Sequence, residues 1–139
     1  MKRAITATML TLALATPVAD AVAATPKKKV TTTTKTISGS VAEVDRWGEL
    51  QVSVVVKKTT TTVGKKKTVK RRVTAVRVPT YPDHTDRSIF INQNALPTLV
   101  QEALTAQFTG SVDMVSGATD TSYGFEQSLQ SALLGAKKA

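Results

Sequence analysis

Leu50, Val52, Val54 and Val56 alternate with Gln51, Ser53 and Val55, and this period of two predicts a β-strand with one apolar face near the middle of the chain. A strand of that kind needs partners and a cover, so its neighbours in sequence decide the fold. On the N-terminal side, Ile37, Gly39, Val41 and Val44 lead into Arg46-Trp47-Gly48-Glu49, which reads as the junction between two strands. On the C-terminal side a very polar stretch passes through Val63-Gly64-Lys65, and Val73, Val76 and Val78 then resume the β pattern up to Pro79. This predicts a long hairpin whose basic tip spans residues 57–72.

After Thr80-Tyr81-Pro82-Asp83 an irregular connection is expected, and the period then changes to that of a helix. Leu96, Leu99, Val100, Ala103, Leu104 and Gln107 fall three and four residues apart, which predicts a helix within Asn92–Phe108. Pro97 suits a first turn, where a missing N–H matters least, so the start is expected near Asn94. Gly110 ends that helix, Ser111 to Val115 reads as a short strand, and Ser122 to Lys138 as a second helix. Phe125, Leu129, Ala132 and Leu133 lie on one face of the latter, and Thr121 or Ser122 is its expected N-cap. The order predicts an α+β fold: one small domain with a mostly antiparallel sheet packed by two helices.

Lys2 and Arg3 precede an apolar run from Ala4 to Ala15, Pro17 ends it, and Ala21-Val22-Ala23 offers a small-x-small cleavage site. The run is shorter than the roughly 20 residues that span a bilayer, so residues 1–23 are expected to be a signal peptide. The remainder would be exported, to the periplasm or the cell surface. Residues 24–36 are expected to form a flexible basic, threonine-rich lead, and 37–139 the domain itself. With no cysteine, the chain has no disulfide framework, thiolate metal site or thiol nucleophile. The net charge of +9 points to anionic partners such as a membrane surface, a wall polymer or an acidic protein. Aromatic residues make up 4% of the chain and none interleaves with the basic clusters, which argues against nucleic acid. Two tracts of four threonines beside lysines, within 27–35 and 57–67, are too short to be a structural repeat.

The chemically informative stretch is Asp113-Met114-Val115-Ser116-Gly117-Ala118-Thr119-Asp120-Thr121-Ser122. Gly117 and Ala118 leave the backbone uncovered at a turn leading into a helix. The first N–H groups of that helix, with the hydroxyls of Ser116, Thr119, Thr121 and Ser122, would suit a phosphate. Asp83-His84-Thr85-Asp86 holds the only histidine, and a stable metal site wants three or four converging donors, so a solvated turn is the better account.

Ser116-Gly117-Ala118-Thr119, with Asp113 ahead and Thr121-Ser122 behind, resembles the signature of the FMN-binding domain family, which includes a subunit of the sodium-pumping quinone reductase and small exported electron carriers. The resemblance extends through Gly39 to Val41, Trp47-Gly48, Val52 to Val56, Asn92 to Leu99 and Phe125 to Ala132. The Lys/Thr-rich tip departs from it. It implies FMN as cofactor, esterified through its phosphate to Thr119, with Thr121 the competing acceptor. Because no histidine lies near Thr119, a separate Mg-dependent flavin transferase would supply metal and base and take the FMN unit from FAD. Asp113 would serve recognition by that enzyme or positioning of its acceptor loop. Tyr123, Phe125, Tyr81 and Trp47 are the candidates to stack on the ring. Trp47 reads more simply as a core lid, and Phe125 as core. The expected activity is electron transfer between a membrane redox partner and an acceptor, with no turnover of the chain's own. The competing reading is a cationic module that binds the cell-envelope surface without cofactor.

Overall fold

The computed structural model describes residues 27–139; the expected signal peptide and residues 24–26 of the expected lead lie outside them. Strands β1 (Lys28–Ser38), β2 (Ala42–Glu43), β3 (Glu49–Val63) and β4 (Lys66–Thr80) form a four-stranded, mostly antiparallel sheet, and two helices, α1 (Asp86–Ala106) and α2 (Thr119–Lys138), follow. The fold is therefore α+β, as its periodicities predict. The central strand is β3, which pairs with β1, β2 and β4; against β2 the register sets Ala42 opposite Leu50 and Glu43 opposite Glu49. A two-residue turn at Gly64-Lys65 closes the long β3–β4 hairpin.

Contacts divide the chain into two compact units. The larger comprises Thr32–Thr59 with Val69–Ala139. In it the inward side chains of β3, Leu50, Val52, Val54 and Val56, are buried with Val73 and Val76 of β4. Leu96, Leu99 and Ala103 of α1 and Phe125, Leu129, Ala132 and Leu133 of α2 complete this core. The smaller unit contains Thr60–Thr68 and, among the described residues, those up to Thr31.

Close approach of α2 to the strands depends on small residues. A Cβ on Gly39 would overlap the Ser128 carbonyl oxygen. The buried Ser128 hydroxyl accepts from Val52 N at 2.8 Å and donates to the Ser40 carbonyl at 2.7 Å. Ser40 N in turn donates to Ser131 Oγ at 2.9 Å. Two serines of the helix thus satisfy main-chain groups where β1 gives way to β2, and the strand predicted from Ile37 to Val44 is divided there.

Local structure departs from the sequence-based expectations in four further places. Lys28 to Thr36, expected in a flexible lead, belongs to β1: its β-branched threonines suit a strand, and pairing with β3 outweighs the like charges. Helix α1 begins at Asp86 rather than near Asn94, because Thr85 is its N-cap, extended at φ −134° and accepting from Ser88 N at 3.0 Å. Pro97 is consequently inside the helix, on an exposed position. The Gln93 carbonyl it leaves unbonded also belongs to an exposed residue, where water can bind it. Ser111 to Val115 is not a strand but an irregular segment after a 3-10 turn at Gln107–Thr109. Helix α2 starts at Thr119, so Thr121 and Ser122 lie in its first turn and Ala118 is the N-cap.

Candidate functional site

The segment joining the helices builds the site. Val115 to Ala118 is a tight turn, closed by Ala118 N donating to the Val115 carbonyl at 3.0 Å. Its third residue, Gly117, has φ 83°, a conformation that disfavours a side chain even though a Cβ there would meet open space. Ser122 fastens this turn from the helix: its buried hydroxyl accepts from Val115 N at 3.0 Å and donates to the Ala118 carbonyl at 2.8 Å. Thr121 is equally committed, its buried hydroxyl donating to Asn92 Oδ1 at 2.8 Å. Asn92, buried in α1, uses its amide nitrogen to hold the Pro82 carbonyl at 2.8 Å. One amide therefore joins both helices to the chain entering α1.

Above that node lies an open cavity of about 230 Å³. Val44, Trp47, Pro82 and Ile91 give it apolar walls, while Arg87, Ser88, Thr119 and Asp120 bring polar groups to it. Trp47 is presented by a 3-10 turn over Asp45–Trp47, in which Trp47 N donates to the Val44 carbonyl at 2.9 Å and Val44 N to the Gly48 carbonyl at 2.7 Å. The Arg46 guanidinium stands 5.1 Å from the centre of the indole. No side chain caps α2, and the N–H groups of Thr119, Asp120 and Thr121 lie before the first intrahelical bond, from Ser122 N to the Ala118 carbonyl at 2.9 Å. They carry the positive end of the macrodipole of a 20-residue helix toward residues that line the cavity, opposed locally by the Asp120 carboxylate.

Of the residues singled out by sequence, Gly117, Ala118, Thr119 and Thr121 line this cavity, whereas Asp113, Ser116 and Ser122 do not. The four hydroxyls expected to act together are thus separated by the early helix start. Thr121 and Ser122 are spent on internal bonds, Ser116 is exposed away from the lining, and Thr119 is exposed and in it. Asp113 is exposed, with its main-chain N–H donating to Glu102 Oε1 at 2.6 Å. Among the aromatic candidates, Phe125 is fully buried in the core and unavailable to a ligand, Tyr123 is exposed outside the lining, and Tyr81 packs against the core. Trp47, the better candidate for a lid, is instead a half-buried wall of the cavity.

Sequence reading overlooked Arg87, Ser88 and Asn92 as site residues. The Thr85-x-x-Ser88 capping pattern was the available signal, since it places Arg87 in the first turn of α1. In comparisons with known proteins, no family model matches the chain and no curated protein matches it.

Proposed function

We propose that this protein is an extracytoplasmic electron carrier that holds FMN at the α2 cavity, joined through its phosphate to Thr119. The observation that carries this reading is the contrast between the two threonines: Thr119 offers an exposed hydroxyl at the cavity, while Thr121 is buried and bound to Asn92. Three further features fit a phosphodiester there. The first-turn N–H groups of α2 are uncapped, Arg87 supplies a guanidinium to the same lining, and Gly117 leaves the approach open. Trp47, Ile91 and Pro82 offer apolar surface beside them. The cavity falls below the ~300–1,000 Å³ of clefts that enclose drug-sized ligands, so much of the cofactor would stay open to redox partners.

Attachment needs an activated threonine. Thr119 Oγ1 would displace AMP at the flavin-side phosphorus of FAD, forming an O–P bond as the P–O–P bridge breaks. A separate transferase would take the hydroxyl proton and supply the metal, and the exposed Asp113 is available for its recognition. Arg87 and the α2 amides would then neutralise the phosphodiester, and Trp47 would limit motion of the attached group. When bound, FMN supplies one- and two-electron transfer.

The test is intact mass and a denatured visible spectrum of protein exported by a host containing the transferase. An added FMN moiety and a yellow colour that survives denaturation, both lost in Thr119→Ala, are expected. An unmodified, colourless product despite a competent transferase and added FMN would leave a cationic envelope-surface module as the better account.

A further inference from the structure

The smaller unit has a composition that packing does not explain. Lys27, Lys28, Lys29, Lys65, Lys66 and Lys67 are all exposed in it, and its described residues include no acid. The sequence between Glu49 and Asp83 holds no Asp or Glu at all. Lysines on strand edges discourage pairing between molecules, and Lys66 and Lys67 open β4, which pairs only with β3, but a few suffice for that purpose and Lys65 lies in the hairpin turn itself. A soluble surface ordinarily intersperses the two signs of charge. Here six like charges gather with no counter-charge among the unit's described residues, and Val30 and Val63 of the same unit are 53% and 40% exposed.

We propose that this unit docks on an anionic phospholipid surface, its lysines over the headgroups and Val30 and Val63 entering the interfacial region. Charge alone would serve any polyanion. The exposed valines favour a lipid, since an apolar side chain gains by entering a bilayer interface and gains nothing on a hydrophilic polymer. The inference is independent of the flavin, because none of these residues lines the α2 cavity.

Sedimentation of the full chain with phosphatidylcholine vesicles, with and without phosphatidylglycerol, tests it. Binding is expected only with phosphatidylglycerol and should weaken as salt rises. At roughly fivefold per lysine, Lys65→Gln, Lys66→Gln and Lys67→Gln together should lower partitioning about 100-fold. The pair Val30→Ser and Val63→Ser should lower it further while leaving the salt dependence intact. An unchanged urea midpoint would show that these exposed substitutions spare the fold. Equal binding to both vesicles, or binding unchanged by the lysine substitutions, would overturn the proposal. So would equally tight binding to soluble polyglycerol phosphate with no effect of the valine substitutions, which would assign the surface to a wall polymer.

Discussion

Thr119 and Thr121 are chemically identical and two residues apart, yet replacing each by Val should give opposite results. Val has nearly the shape of Thr and a similar helix propensity, so the substitution chiefly removes the hydroxyl. At Thr121 that hydroxyl donates at 2.8 Å to Asn92 Oδ1, and both residues are almost wholly buried, with exposures of 4% and 1%. Thr121→Val would leave a buried acceptor without its donor, a loss of about 1–3 kcal/mol. Against a total stability of roughly 5–15 kcal/mol, that is readily measured. Thr119 is exposed, so Thr119→Val should stay within about 0.5 kcal/mol of the parent. Urea unfolding of the flavin-free proteins reads this as a lower midpoint with unchanged slope for Thr121→Val alone. Intact mass after export beside the transferase should show FMN on Thr121→Val and none on Thr119→Val. Equal midpoints would refute the buried hydrogen bond as a stabilising element, and FMN retained by Thr119→Val would refute the choice of acceptor.

Four other substitutions probe the scaffold by urea or thermal unfolding. Gly39→Ala should destabilise by about 1–3 kcal/mol or more, because its Cβ would meet main chain at Ser128, which cannot rotate away. Phe125→Ala should cost about 3–5 kcal/mol through the cavity it leaves, whereas Phe90→Ala, at a position 70% exposed, should stay within about 0.5 kcal/mol. Pro97→Ala should raise the midpoint, by about 1–2 kcal/mol of stability, because it restores an N–H for the Gln93 carbonyl inside α1 without disturbing buried packing.

The fold class was legible because the core is written in two clean periods. The alternating apolar side chains of β3 and the three- and four-residue spacing of Phe125, Leu129, Ala132 and Leu133 are buried as their patterns require. Boundaries were less legible wherever a local rule had two answers. Proline in a helical pattern suggested a first turn, but Thr85 caps the helix well before the expected start near Asn94, and exposure makes the interior proline tolerable. In β1, repeated lysines suggested a solvated lead, but strand pairing is a property of the partner β3 as much as of β1.

The candidate site was legible as a segment and illegible as an arrangement. Ser-Gly-Ala-Thr marks a turn entering a helix, yet which hydroxyl remains free depends on where the helix begins and on what stands across from it. Starting at Thr119 turns Thr121 inward, where Asn92, 29 residues earlier, accepts its hydrogen bond. Asn92 can do so because the nitrogen of the same amide donates to the Pro82 carbonyl and fixes its orientation. The same start keeps Thr119 exposed, with uncapped N–H groups beside it and Arg87 in the same cavity lining. Which threonine hydroxyl stays exposed is thus decided by a contact between helices: the segment supplies two chemically equivalent threonines, and the amide of Asn92 engages Thr121 and leaves Thr119 exposed.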